Sequence, residues 1–102
     1  DMIVPVMSLG GAGVISVFAN LCPAECRDIA HACLKGDYKK AAALQLKYLE
    51  LINALFVEVN PIPIKEAMNI RGMGVGGYRL PLTEMDPANR EKLVKAMQVL
   101  DA

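Results

Sequence analysis

Residues Gly13 to Ala19 read G-V-I-S-V-F-A, the one β-branched and aromatic run in the chain that is bounded by turn formers. Gly13 opens it and Asn20 closes it, which predicts a strand over residues 13–18. Only Ser16 interrupts its apolar character. A strand that is apolar on both faces is covered on both sides, as in a parallel sheet. A single strand makes no sheet, so its neighbours must come from elsewhere. The rest of the chain reads as helix and turn. The expected fold class is therefore mostly α with one short β-strand.

A chain of 102 residues is one domain or part of one. Eleven Lys and Arg balance eleven Asp and Glu, so the formal net charge is zero. That balance argues against a nucleic-acid arm and against a polybasic membrane anchor. With 54% hydrophobic residues, disorder is excluded as the default state. No apolar run approaches the roughly 20 residues that span a bilayer, and no basic region precedes the apolar runs as in a signal peptide. Three cysteines form no paired framework, which makes the cytoplasm the expected compartment. The chain opens at Asp1 directly in apolar sequence, as a piece cut from a longer product would. A chain of this size buries only about 60–70% of its unfolded surface. Its apolar excess is a first hint of a missing partner surface.

Asp1 to Leu9 admits either a strand, from its Val and Ile, or a short helix over residues 2–9 that ends at Gly10-Gly11. Pro23 sits at the start of a helix over residues 23–35, and Gly36 stops it. Its inward face carries Cys22, Cys26, Ile29, Ala30 and Cys33. Asp37 caps a long helix, about 38–58. At about 100° per residue, Leu44, Tyr48, Leu51 and Leu55 form one stripe, and Leu46, Leu49, Ile52 and Phe56 adjoin it. Lys40, Lys47 and Glu50 mark a narrow polar strip. Asn60-Pro61-Ile62-Pro63 is a hard break that leads into a helix over residues 62–71. Gly72 to Thr83 is a glycine-rich loop, and Asp86-Pro87 opens a final amphipathic helix, 87–101, with Leu93, Met97 and Leu100 on one face.

Few chemical constellations survive inspection. Gly72, Gly74 and Gly77 spell G-x-G-x-x-G, yet a dinucleotide site needs a strand before the motif and a helix after it. Here a helix precedes it and Tyr78-Arg79-Leu80-Pro81 follows, so a plain surface loop is expected. Gly10-Gly11-Ala12-Gly13 lacks the Lys-Ser/Thr of a phosphate loop and reads as a tight turn into the strand. Cys22, Cys26 and Cys33 share a helical face. Cys26 and Cys33 are about 10.5 Å apart along the axis, whereas zinc–sulfur bonds are about 2.3 Å. They are small packing residues, and no metal is expected. His31, the single histidine, lies about 140° around the helix from Cys26 and reads as a rim residue. Glu58 and Glu66 flank the proline break and could meet in space. Lys65, just after Pro63, is held by a rigid corner, although an ordinary surface lysine is the simpler reading.

Four stretches taken together resemble one family. They are S-L-G-G-A-G-V-I-S-V at Ser8 to Val17, the Ala19-Asn20 pair, L-F-V-E-V-N-P-I-P-I-K at Leu55 to Lys65, and Y-R-L-P-L-T at Tyr78 to Thr83. In this order and spacing they resemble the C-terminal part of the dihydrodipicolinate synthase (4-hydroxy-tetrahydrodipicolinate synthase) family of pyruvate-dependent aldolases. N-acetylneuraminate lyase shares that fold, but the N-P-I-P-I-K stretch is more similar to the synthases. The resemblance implies a (β/α)8 barrel followed by a helical domain. Residues 1–36 would be the end of the barrel, with Asp1–Leu9 its seventh helix and Gly13–Val17 its eighth strand. Residues 37–102 would be the helical domain.

The same resemblance implies a lyase that condenses pyruvate with aspartate semialdehyde, in lysine and diaminopimelate biosynthesis, through a lysine Schiff base and a proton-relay tyrosine. It implies no cofactor and a homo-oligomer. The Schiff-base lysine, the relay tyrosine and the lysine feedback site of the family all lie upstream of Asp1. No catalytic residue is therefore expected in this chain, which by itself should be inactive and should lack the N-terminal barrel half as a partner. One residue carries over: Ile15 corresponds to the eighth-strand position that lines the pyruvate site. Val14 and Ser16 beside it are weaker candidates, and a plain core role serves Ile15 equally. A second reading, from another class, is a free-standing helical module that oligomerises through its apolar surface.

Overall fold

The computed structural model describes residues 1–102. It contains six α-helices and a closing 3₁₀ turn: α1 Ile3–Ser8, α2 Phe18–Leu21, α3 Pro23–Leu34, α4 Tyr38–Ala54, α5 Ile62–Ile70, α6 Pro87–Met97 and the 3₁₀ turn Gln98–Asp101. The chain is mostly α. No helix is long and apolar enough to cross a membrane.

The strand expected over residues 13–18 is not formed. Ala12–Ser16 has no regular secondary structure, no strand of the chain pairs with it, and Phe18 already belongs to α2. A strand exists only through its partner's backbone. Its residues have the propensity, and the chain holds no second strand. Ser16 also redirects the backbone: its hydroxyl accepts from Ala19 N at 3.1 Å and so caps the single turn of α2. Asn20 Nδ2 closes that turn by donating to Val17 O at 3.1 Å.

The long helix expected to reach Glu58 ends at Ala54. Phe56 N bonds Asn53 O and Val57 N bonds Ala54 O, three-residue closures that tighten the last turn. The Asn60-Pro61-Ile62-Pro63 corner follows, with the Asn60-Pro61 bond cis, and residues before a proline avoid helical geometry. The final helix is α only to Met97 and then 3₁₀. Asp37 Oδ1 accepts from Lys40 N at 3.1 Å at the head of α4, and Asp86 Oδ1 accepts from Ala88 N at 2.9 Å at the head of α6.

Two compact units are present, Asp1–Glu50 and Leu51–Ala102. The boundary between them falls within α4. The first part of α4 stays with unit 1 because its side chains bond there. Tyr38 donates to Met7 O at 3.2 Å. Gln45, a buried polar residue, donates to Asp1 O at 2.5 Å and accepts from Val4 N at 2.7 Å. The Tyr48 and Phe18 rings stand 5.7 Å apart. In unit 1, α1 and α2 pack on α3, around buried Ile3, Met7, Phe18, Cys26 and Ile29. In unit 2, α5 packs on α6, with Leu51, Leu55, Ile64, Ala67 and Leu93 buried.

Candidate functional site

Ile15, the one substrate-contact candidate read from the sequence, stands on the irregular Ala12–Ser16 segment with its side chain fully exposed. Val14 is exposed too and borders a groove of about 310 Å³ that Pro23, Cys26, Ala30 and Leu34 of α3 also line. Ser16 is turned to local work as the cap of α2. The segment thus presents two aliphatic side chains, Val14 and Ile15, and its one hydroxyl, that of Ser16, is committed to α2.

The polar residues singled out in the sequence converge instead in unit 2, around the glycine-rich loop. Three residues of α5 hold that loop. The Lys65 ammonium donates to Gly77 O and lies 5.6 Å from the centroid of the Tyr78 ring. Asn69 brackets the loop, with Nδ2 donating to Gly76 O and Oδ1 accepting from Val75 N, both at 2.9 Å. Glu66 accepts from the Tyr78 hydroxyl at 2.8 Å and from Arg90 Nε at 2.6 Å. The Arg90 guanidinium, with Tyr78, holds the Glu66 carboxyl below the usual carboxylate range. Burial, reinforced by Glu66, pushes Tyr78 up to about 12. A cavity of about 560 Å³ lies beneath the loop, lined in part by Glu66, Tyr78, Thr83, Glu84 and Arg90.

Glu58 is engaged separately, accepting from Asp86 N at 3.0 Å and Asn89 Nδ2 at 3.1 Å. Glu58 and Glu66 each carry their own donors, an arrangement of latches rather than of an acid–base pair. Gly72, Gly74 and Gly76 take positive φ, and the loop carbonyls of Gly76 and Gly77 face Asn69 and Lys65. No helix N-terminus follows them closely, so the G-x-G-x-x-G spacing makes no phosphate cradle. Cys22, Cys26 and Cys33 are buried in unit 1, and burial pushes the Cys33 thiol up. No three His, Cys, Asp or Glu side chains cluster as a metal site. His31 is exposed on a shallow rim of mixed charge with Arg27, Asp28, Lys35, Asp37 and Lys40. Sequence reasoning missed Asn69 and Tyr78; an amide four residues after Lys65 and one phenol in a glycine-rich loop were the available signals.

A family model described as the Dihydrodipicolinate synthetase family matches residues 1–100. The chain belongs to that family. It is 59% identical over 97 residues to the 4-hydroxy-tetrahydrodipicolinate synthase of Caldicellulosiruptor bescii, and 60% identical over 97 residues to that of Caldicellulosiruptor saccharolyticus. Each match covers 95% of this chain and 33% of the relative. The solved dihydrodipicolinate synthase from Aquifex aeolicus superposes with a TM-score of 0.94 at 40% identity, over 98% of this chain and 34% of that one. The chloride-inhibited synthase from Acinetobacter baumannii, complexed with pyruvate, superposes with a TM-score of 0.92 at 36% identity, again over 98% and 34%. The chain spans about a third of the length of the curated relatives it matches. It corresponds to a C-terminal fragment of a dihydrodipicolinate synthase family member.

Proposed function

We propose that this chain is part of a Schiff-base lyase that condenses pyruvate with aspartate semialdehyde, in lysine and diaminopimelate biosynthesis. The observation that carries the reading is identity near 60% to named synthases over nearly the whole chain. Residues 1–36 contribute the end of the barrel and residues 37–102 the helical domain. Ile15 lines the pyruvate site at the barrel mouth, as its exposed position allows. The complete enzyme works in the cytoplasm as a homo-oligomer and needs no cofactor.

The chain alone is inactive in this reading. A Schiff-base nucleophile is a lysine in a desolvated setting at the C-terminal face of the barrel. The first lysine here is Lys35, beyond the Ala12–Ser16 segment. Lys65 has its ammonium committed to Gly77 O and the Tyr78 ring.

Intact mass after treatment with pyruvate and borohydride tests this, because borohydride fixes a lysine–pyruvate imine permanently. The expected result is an unmodified 102-residue mass. A stable adduct would make one of this chain's own lysines the nucleophile, Lys65 first, and would overturn the assignment of catalysis to residues outside the chain.

A further inference from the structure

We propose that residues 74–84 form a strap that opens and shuts as one piece over the cavity beneath it, and that Lys65, Glu66 and Asn69 of α5 latch it shut. The strap is a device of unit 2 alone, and it is independent of the catalytic reading.

The two ends of the strap are fixed by backbone bonds. At its start Gly72 N bonds Asn69 O at 2.9 Å and Met73 N bonds Met68 O at 3.0 Å. At its far end Met85 is buried and Asp86 N donates to Glu58 Oε2 at 3.0 Å. The stretch between them has no such support. No residue from Gly74 to Glu84 is buried. Its single backbone–backbone bond is local, Leu82 N to Arg79 O at 2.9 Å. With neither a ladder nor a packed core to hold it, this stretch belongs to the low-stability end of the fold and opens before the helices do.

What does hold it is polar and concentrated at one place. Asn69 bonds Val75 N and Gly76 O, Lys65 bonds Gly77 O, and Glu66 bonds the Tyr78 hydroxyl. The latches thus grip four consecutive residues, 75–78, from little more than one turn of α5. Chain continuity keeps a released residue beside its latch while its neighbours stay bound, so the strap lifts only when all let go. Each latch then adds to one opening free energy. The seat for Tyr78 stays in place throughout, because the other oxygen of Glu66 is held by Arg90 Nε at 2.6 Å. Gly74 and Gly76, at φ +61° and +84°, supply the backbone freedom for the swing. The strap contributes Tyr78, Leu82 and Glu84 to the wall of the cavity of about 560 Å³, and the helices contribute Glu66 and Arg90. Lifting the strap removes its share of that wall and opens the cavity to solutes.

The test is amide exchange of the 102-residue chain, read residue by residue by NMR. The reporter is Leu82, whose N–H bonds Arg79 O and no latch residue. Asn69→Ala should speed exchange at Leu82 about tenfold, and Tyr78→Phe about fivefold. Leu93, inside α6, should keep its parental rate in both, and Lys92→Ala, on the exposed side of α6, should change neither reporter. Gly77→Ala should act in the opposite sense. An added Cβ there meets nothing within 4 Å and Gly77 needs no left-handed φ, so the variant fits the shut strap and narrows only the open one. It should slow Leu82 about two- to fivefold, and it decides the matter even if loss of a latch unfolds the chain. Met85→Cys, in the cavity wall, should be alkylated faster in the Asn69→Ala background, by the factor seen at Leu82. Exchange at Leu82 that none of the three strap variants moves overturns the proposal, because the latches then release one by one. Leu93 speeding in step with Leu82 also overturns it, since the opening is then that of the whole unit. So does alkylation of the Met85→Cys variant at one rate with and without Asn69, because the strap then guards no cavity.

Discussion

Glu66 takes a donor on each carboxylate oxygen, Tyr78 on one and Arg90 on the other. These donors lower its folded value below the ordinary 4.5, so between those two values the unfolded state binds more protons. The Glu66 contribution to stability is therefore present above about pH 4.5 and is lost as pH falls through the folded value. Tyr78 works in the opposite sense. It rises from 10.0 to about 12, so its share is intact below pH 10.0 and fades as pH climbs toward 12. Arg90 is half exposed, which screens the pair. Glu66→Gln should cost about 1 kcal/mol at neutral pH and flatten the acid limb, read by urea unfolding across pH. An acid limb that Glu66→Gln leaves unchanged would place the titrating group elsewhere. Lys65 was visible in the sequence as a residue set by a proline corner. Its partners were not, because Gly77 and Tyr78 reach it only once the loop folds back over α5.

Among the elements, α3 and α4 meet at a junction written in the sequence. Gly36 adopts φ +77° and its N–H bonds Cys33 O at 2.9 Å, while Asp37 N reaches back to Ala32 O at 2.8 Å. This left-handed closure suits glycine. Gly36→Ala should destabilise the chain by about 1 kcal/mol. Asp37→Ala, which loses the cap on Lys40 N, should cost about 1 kcal/mol as well. Both are read as shifts in the urea midpoint at constant slope. A Gly36→Ala variant as stable as the parent would mean that the turn tolerates another closure. The capped helix starts and the glycine stop were legible because each depends on neighbours within a few residues. The single turn of α2 was not, since the same Val-Phe-Ala residues serve a strand when a partner strand is present.

For the whole molecule, several large apolar side chains stand in solvent, among them Leu9 and Ile15, each about nine-tenths exposed or more. Exposed apolar surface of this kind marks a site of association. The isolated chain should bind a hydrophobic dye such as ANS. Replacing Leu9 and Ile15 by serine should lower that signal without loss of helicity by circular dichroism. Unchanged dye binding would place the sticky surface elsewhere, among other exposed side chains such as Leu34, Leu46, Phe56 and Leu80. By itself the sequence determined the helical class, the cap and stop positions, and the family, because capping and helical periodicity are short-range and the family motifs are linear. Only the tertiary structure decided that Gly13–Phe18 is no strand in this chain, that α4 stays with unit 1 as far as Glu50, and that Lys65, Glu66 and Asn69 are latches on a loop. Each of these depends on groups far apart along the chain meeting in space, and a strand in particular exists only when a second backbone lies beside it.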